Sequence, residues 1–301
     1  MSEEDAYRID KQQVKQAFDG SAARYDEVAV LQRQVGDRLL DRLRDIRFEP
    51  ERILDIGCGT GENSKGLLKF YPSARVITAD LSTGMLEQAR LKGSRLHRWR
   101  GRQTFLAADM EALPLADASV DMVFSNLTVQ WCQDLERVFR ECRRVLKPGG
   151  MLMFTTLGPD TLNELRQSWQ QADGFVHVNA FMDMHDIGDA MVRSQLAEPV
   201  MDVEYFRLTY QEVGGLMRDL KVLGAHNINS GRAHGLTGKG RFMRMREAYE
   251  GFRSDGVLPA TYEVVYGHAW APEQGLMQQR EGETTSIPLS QVRLATRGSS
   301  S

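Results

Sequence analysis

The sequence has few cysteines and no long apolar run. Only three cysteines occur among its 301 residues, and no two form a Cys-x-x-Cys pair, which argues against a zinc ribbon or a thioredoxin-type site. So few cysteines are typical of a reducing compartment. No run approaches the ~20 apolar residues of a membrane helix, and the N-terminal residues lack the apolar core of a secretory signal. We therefore expect a cytoplasmic protein that binds neither a metal nor a membrane.

The sequence also lacks an excess of basic residues. Lys and Arg number 38 and Asp and Glu number 41, which gives a net charge of -3. This balance gives no reason to expect a nucleic-acid partner, and no RNA-module motif is present. Two local basic clusters stand out, at residues 90–102 and 232–246. Each is either a binding surface for an acidic partner or an ordinary solvated surface.

Short apolar segments alternate with helical patterns along the first half of the chain. The segments that predict buried strands are 51–56, 74–80, 103–109, 119–126 and 151–157. Helical periodicity lies between them at 62–70, 83–91 and 135–146. The alternation predicts an α/β fold with a mostly parallel, Rossmann-like sheet and helices on both faces. The sequence Pro148-Gly149-Gly150 predicts a stop and a turn before the fifth strand.

The pattern divides the chain into five predicted parts. They are N-terminal helices in 1–48, a core in 49–157, an insertion in 158–258, a last core strand in 259–270 and a flexible tail in 271–301. The N-terminal helices are predicted at 10–22 and 29–46, and we expect them to cover the ligand site. The insertion has helical patterns at 160–172, 183–195, 211–224 and 239–253. Rough alternation at 199–209 predicts one further core strand, and we interpret the rest of the insertion as a substrate-binding lid.

The strongest functional signal is a glycine-rich turn between the first strand and its helix. Asp55 and Ile56 lead into Gly57, Gly59 and Gly61, and such glycines let the backbone come close to a ligand. Asp80 ends the second predicted strand, where an acid can bind both ribose hydroxyls. Two other interpretations are open. A nicotinamide-binding site would use the spacing Gly-x-Gly-x-x-Gly. A purely structural turn would make these acids ordinary caps at the ends of strands.

A third acid completes the pattern at the next strand. Asp109 ends the third predicted strand and is followed by Met110, and a carboxylate there can accept a hydrogen bond from an adenine amino group. Ligands of open α/β sheets bind at the carboxyl ends of the strands, where all three acids are expected to lie.

These segments together resemble the motif series of class I S-adenosylmethionine-dependent methyltransferases. The resemblance covers roughly residues 50–157 and rests on DIGCGTG, on Ala79-Asp80, on the segment at 107–126 and on LKPGG. It implies a seven-stranded class I fold with a helical lid, and S-adenosylmethionine as the cofactor. The residues that it implies for cofactor binding are Tyr25, Gln32, Asp55, Gly57, Gly59, Asp80, Leu81, Met85, Asp109, Met110 and Asn126.

A closer resemblance lies outside the cofactor motifs. The segment SNLTVQWCQDL (125–135) is similar to one in the malonyl-[acyl-carrier protein] O-methyltransferases of biotin synthesis, and further segments match in order at 14–40, 154–170, 219–232 and 258–270. The resemblance implies esterification of the free malonyl carboxylate on acyl-carrier protein, an acidic partner suited to either basic cluster. The alternatives are a methyltransferase for another small molecule, such as a quinone precursor, and a cofactor-binding assembly factor that transfers no methyl group.

The implied chemistry needs no general base, and we assign no catalytic residue. A carboxylate is already ionised at neutral pH, so catalysis would come from holding it in line with the methyl group. Candidate substrate-binding residues are Tyr25, Trp131, His226 and Arg232. Each also has an ordinary structural interpretation: a half-buried aromatic, a packing aromatic, a structural histidine or a surface arginine.

Overall fold

The structure is built around one seven-stranded sheet. The computed structural model describes residues 10–224 and 238–273, and the backbone of residues 279–281 and 284–286. The strands of the sheet are β1 (Arg52–Ile56), β2 (Arg75–Asp80), β3 (Gln103–Ala107), β4 (Val120–Ser125), β5 (Leu146–Leu157), β6 (Ala197–Tyr210) and β7 (Leu258–Trp270). Their order is β3-β2-β1-β4-β5-β7-β6, and of these strands β7 alone runs in the direction opposite to the other six. This confirms the predicted Rossmann-like, mostly parallel sheet.

Helices occupy the connections between these strands and the N-terminal region. They are α1 (Lys11–Ser21), α2 (Tyr25–Val28), α3 (Val30–Arg42), α4 (Glu62–Phe70), α5 (Thr83–Lys92), α6 (Arg95–Trp99), α7 (Leu135–Val145), α8 (Asn163–Ala172), α9 (Met184–Arg193), α10 (Val213–Val222) and α11 (Lys239–Glu250). Apolar residues recur every three or four positions in α7, so that one face is buried: Leu135, Val138, Phe139, Cys142 and Val145. Within residues 10–224 and 238–273, no helix is long and apolar enough to cross a membrane.

Two hydrophobic layers cover the two faces of the sheet. Successive strand residues point to opposite faces, so Ile53 belongs to one layer and Leu54 to the other. Helices α3, α4, α8, α10 and α11 pack on the Ile53 face, and α7 and α9 pack on the Leu54 face. The predicted helices on both faces are therefore confirmed, and the carboxyl ends of β1, β2 and β4 are left free to form a site.

The fifth strand begins earlier than its glycines predict. Strand β5 starts at Leu146 rather than at residue 151. Gly149, with a φ of 73°, forms an irregular step, and its backbone N–H donates to Ala271 at 2.9 Å, while Ala271 donates to Gly150 at 2.8 Å. The predicted turn is wrong because the backbone groups of these glycines pair with the chain that follows β7.

Other boundaries also differ from the predicted pattern. The helix predicted at 29–46 is shorter, since α3 ends at Arg42 and a 3-10 turn covers Leu43–Asp45. Strand β3 ends at Ala107, so Asp109 lies beyond it in a turn that bridges back to Ala112. In the predicted tail, β8 (Gln279–Glu281) pairs with β9 (Thr284–Ser286), and the remaining residues beyond Glu273 lie outside the described residues.

Candidate active site

The glycine-rich turn after β1 brings the backbone to the edge of a cavity. Gly57 and Gly59 have φ values of 73° and 52°, a region that glycine enters without strain. A Cβ atom at Gly57 would overlap the side chain of Thr128, whereas a Cβ at Gly59 would point toward the ring of Tyr25, 3.8 Å away. The turn therefore leaves a space between Gly59 and Tyr25 that a side chain would fill.

Asp80 lies at the carboxyl end of β2, directly beside this turn. Its carboxylate accepts hydrogen bonds from the backbone N–H groups of Gly59 at 2.9 Å and Ser82 at 2.8 Å. Burial raises the pKa of Asp80 to about 6, although these two hydrogen bonds oppose the shift. Each carboxylate oxygen has further acceptor capacity, which suits two ribose hydroxyl donors.

We expect cofactor affinity to depend on the ionisation of Asp80. Hydroxyl donors favour the charged carboxylate, so the dissociation constant of S-adenosylmethionine should be constant above the Asp80 pKa of about 6 and should rise as pH falls below it. One proton linked to binding gives about tenfold weaker binding per pH unit. Isothermal titration calorimetry across this pH range measures the profile. A flat profile in the wild-type protein would contradict the assignment, and Asp80→Asn is the variant in which a flat profile is expected.

Asp55 lies beneath the turn and is separate from the cavity. Ser64 at the start of α4 donates to its carboxylate at 2.5 Å and also contacts the hydroxyl of Thr78 at 2.9 Å. Burial raises the pKa of Asp55 to about 7. The residue does not line the cavity, because its side chain points into the contact between β1, β2 and α4. In place of the predicted contact with the cofactor, the geometry gives Asp55 a positioning role for the turn.

A single cavity of about 1360 Å³ collects the other predicted cofactor residues. It begins at the glycine turn and continues under α8 and α10. The predicted residues that line it are Tyr25, Gln32, Gly57, Gly59, Asp80, Leu81, Met85, Asp109, Met110 and Asn126. Trp131, a predicted substrate residue, lines it as well. We call the part formed by the strand ends the donor half, and the part formed by residues 157–181 and 208–224 the acceptor half.

Gln32 on α3 supplies the donor half with a polar atom that lacks a partner. Its buried side-chain oxygen has no hydrogen-bond partner among the described residues. Its backbone carbonyl is held at 2.9 Å by the amide of Asn126, whose own oxygen accepts from Thr155 at 2.8 Å. Asn126 therefore helps to orient α3, and the side-chain oxygen of Gln32 remains available as a hydrogen-bond acceptor, as the predicted contact with the cofactor requires. These features fit the predicted cofactor.

The N-terminal helices are fastened over the donor half by ion pairs and hydrogen bonds. The ammonium group of Lys11 lies 2.5 Å from Asp109 and 2.7 Å from Glu111. Asp19 accepts from the hydroxyl of Ser82 at 2.6 Å and from the N–H of Gly84 at 2.9 Å. Asp109 thus forms an ion pair with Lys11, and its carboxylate can also accept a hydrogen bond from an adenine amino group.

Tyr25 lines the cavity beside Gly59 of the glycine-rich turn. Burial, followed by the nearby carboxylates of Asp80 and Asp26, raises the pKa of Tyr25 far above its usual value, so the phenol keeps its proton. Phe18 packs edge-on against Tyr25 and against Trp131, with ring centroids 6.4 and 5.4 Å apart. The position suits donation to an anionic acceptor.

The acceptor half contains three residues that the sequence pattern did not single out. Trp169 on α8 stacks on His177, with ring centroids 3.7 Å apart and planes 10° from parallel. The Nε2 atom of His177 lies 2.8 Å from the carboxylate of Asp173. The spacing of four residues between Asp173 and His177 was the only available signal, and it is a weak one. His226 and Arg232 lie outside the described residues, so their predicted roles stay predictions.

The two basic clusters lie in different parts of the fold. In the cluster at 90–102, Lys92 pairs with Asp26, and Arg102 donates to three backbone carbonyls. Trp99 in the same cluster is 83% exposed. The described part of the cluster at 232–246 is the start of α11, which packs beside α8 and so lies on the acceptor side of the fold.

Comparison with known proteins gives relatives that match most of the chain. A family profile described as a methyltransferase domain matches residues 54–154. The malonyl-[acyl-carrier protein] O-methyltransferase of Methylovorus sp. (strain MP688) is 52% identical over 271 residues, covering 89% of this chain and 92% of that protein. The protein of the same name from Gallionella capsiferriformans (strain ES-2) is 54% identical over 266 residues, covering 88% of this chain and 92% of that protein.

Solved structures share the fold at low sequence identity. A putative methyltransferase from Bacillus halodurans C-125 superposes with a TM-score of 0.53 at 16% identity, covering 77% of this chain and 97% of that chain. Phosphoethanolamine N-methyltransferase 2 of Haemonchus contortus, in complex with S-adenosyl-L-methionine, gives a TM-score of 0.52 at 20% identity, covering 85% of this chain and 57% of that chain. These similarities show the class of fold.

Proposed function

The chain belongs to the malonyl-[acyl-carrier protein] O-methyltransferase family, and we propose that it methylates the free carboxylate of a malonyl thioester on acyl-carrier protein. The product is the malonyl methyl ester that starts pimeloyl synthesis for biotin. The observation that carries the proposal is that one cavity joins a donor half at the strand ends to a long acceptor half. Donor and acceptor can therefore meet within a single cavity.

The residues of the donor half fix the cofactor from several sides. When bound, S-adenosylmethionine would supply an electrophilic methyl group: a new O–C bond would form as the C–S bond breaks, and the neutral thioether S-adenosylhomocysteine would leave. Asp80 accepts from the ribose hydroxyls, the turn at Gly57 and Gly59 approaches the amino-acid part, and Gln32 accepts from its ammonium group. Met110 is 3% exposed and lines the same cavity, which supports an apolar contact between its side chain and the adenine ring next to Asp109.

The acceptor carboxylate needs orientation rather than activation. Carboxyl groups are ionised at neutral pH, so the side chains have no proton to remove. The phenol of Tyr25 donates one hydrogen bond to a carboxylate oxygen, which leaves the other oxygen free to attack. Holding the reacting groups in line contributes at most ~7–11 kcal/mol to lowering the barrier.

The N-terminal helices exclude water from the reacting groups. Helix α1 covers the donor half through Lys11 and Asp19. Removing water strengthens the hydrogen bond from Tyr25 and weakens the hydration of the attacking carboxylate. The similarity to the malonyl-[acyl-carrier protein] O-methyltransferases over about 90% of the chain favours the malonyl thioester over a quinone precursor.

The partner of the proposed reaction is acyl-carrier protein, an acidic protein. Of the two clusters, the one that includes the start of α11 lies on the acceptor side, and we favour it as the docking surface. The cysteines at 58, 132 and 142 are unpaired, in keeping with the cytoplasm as the compartment.

Mass spectrometry of carrier-bound acids tests the proposed function. The protein is incubated with S-adenosylmethionine and with the malonyl, acetyl or succinyl form of acyl-carrier protein. We expect a gain of one methyl group on the malonyl form alone. Cofactor binding without transfer to any carrier-bound acid would contradict the proposal and would favour a cofactor-binding assembly factor.

A further inference from the structure

A second cavity adjoins the acceptor half and opens toward the protein surface. Its volume is about 400 Å³, and Trp169, His177, Val178 and Phe181 line both it and the main cavity. The stacked rings of Trp169 and His177 thus form the partition between the two spaces. Phe175, which lines the second cavity, is 45% exposed at its outer side. The two cavities together make a path from the surface to the acceptor half.

The partition carries polar groups at a fixed orientation. Asp173 accepts from the backbone N–H of Phe175 at 3.0 Å and holds Nε2 of His177 at 2.8 Å. The His177 ring lines both cavities, and its second nitrogen, Nδ1, is not the atom that Asp173 holds. Asn179, which lines the main cavity, has a buried side-chain oxygen that lacks a partner among residues 10–224 and 238–273. Such hydrogen-bonding groups beside apolar walls can pair with the amide bonds of a bound ligand.

A cation lies at the outer end of this path. The guanidinium of Arg241 on α11 lies over the ring of Phe175, 5.4 Å from its centroid, and 3.9 Å from Asp173. The side chain is 46% exposed, so it remains accessible to an anion from solvent. Arg166 also lines the second cavity, but its guanidinium donates to the carbonyls of Pro159 and Thr161. Arg241 is therefore the cation that can meet a phosphate there.

The acceptor half is bounded near α10 by close packing against α1. Gly224, after α10, lies so close to α1 that an added Cβ would be 3.2 Å from the backbone of Ala17 and 3.4 Å from the hydroxyl of Ser21. Arg218 also lines the main cavity on this side, where it is 74% exposed and pairs with Glu212. The route past Trp169 and His177 differs from this one because an imidazole held by Asp173 lies beside its cation.

We propose that the pantetheine arm of the acceptor thioester enters through this second cavity, with His177 binding an amide of the arm and Arg241 binding its phosphate. The inference rests on the proposed function, since it takes a carrier-bound thioester as the substrate. It assigns a binding site to Asp173, His177 and Arg241, of which Asp173 is a positioning residue.

Substrates with and without the phosphate test the site. Steady-state kinetics are measured for malonyl-acyl-carrier protein and for malonyl-N-acetylcysteamine, which keeps the first amide and lacks the phosphate. Arg241→Gln should raise KM for the carrier substrate by about threefold to tenfold with kcat unchanged, and should leave the truncated substrate unaffected. His177→Phe, which retains the stacking on Trp169, should raise KM for both substrates.

Arg193→Gln is the matched control, because Arg193 is an exposed, ion-paired cation on α9 that lines neither cavity. We expect it to change neither KM. Unchanged kinetics in Arg241→Gln and His177→Phe, or an equal rise of KM in Arg193→Gln, would overturn the proposed path while leaving the methylation of malonyl-acyl-carrier protein intact. Failure of the wild-type protein to methylate either substrate would contradict the proposed function itself.

Discussion

Replacing Asp80 by asparagine should weaken S-adenosylmethionine binding by roughly a hundredfold or more, since each hydrogen bond to a charged group contributes about 1.5–3 kcal/mol. The carboxylate of Asp80 accepts from Gly59 and Ser82 and has capacity for two ribose hydroxyls. Asparagine has the same shape, but an NH2 group replaces one carboxylate oxygen. This group cannot accept a hydrogen bond, and its N–H bonds would repel the donors that the oxygen accepted from. Isothermal titration calorimetry measures the dissociation constant, and circular dichroism verifies the fold.

Asp37→Asn is the control for charge alone. Asp37 is exposed on α3, so its replacement changes net charge by the same amount and should leave cofactor affinity unchanged. Equal affinity in Asp80→Asn and the wild-type protein would show that this carboxylate does not hold the ribose. Equal losses in both variants would show that the effect arises from overall charge.

Replacing Gly57 by alanine should destabilise the protein strongly and remove cofactor binding. The φ of 73° at Gly57 is strained for a residue with a Cβ, which costs about 1–2 kcal/mol. The added methyl group would also overlap the side chain of Thr128, and overpacking typically costs about 1–3 kcal/mol more. Urea denaturation followed by circular dichroism measures the free energy of unfolding.

Gly188→Ala gives a control with the opposite expected sign. Gly188 lies within α9, and an added Cβ would meet no atom within 4 Å. Alanine is favoured over glycine inside a helix by about 0.5–1 kcal/mol, so this variant should be slightly more stable and bind the cofactor normally. A Gly57→Ala protein with wild-type stability would mean that the turn after β1 differs from the one described.

The donor half was predictable because its residues follow directly from strand ends. In a parallel sheet, the carboxyl ends of β1 and β2 must meet at one edge, so Gly59 and Asp80 had to be close. Asp109 reached the same cavity even though β3 ends two residues earlier. The role of Asp55 was harder to predict, because it depends on the direction of one side chain and on its partner Ser64.

The second cavity could not be predicted from periodicity. Residues 173–181 form no helix or strand, and they reach the acceptor half only because they fold back onto α8. The contact between Trp169 and His177 depends on that irregular path. Periodicity also could not predict the structure at Pro148-Gly149-Gly150. The backbone of these glycines pairs with Ala271, which is distant in sequence.

The position of the transferred methyl group tests the central claim most directly. The protein is incubated with malonyl-acyl-carrier protein and S-adenosylmethionine that carries a carbon-13 methyl group, and the product is examined by NMR. A carboxylate nucleophile predicts a methyl ester on oxygen, which mild alkali removes. A methyl group on the malonyl carbon would require a base to remove a C–H proton. That result would contradict the base-free mechanism.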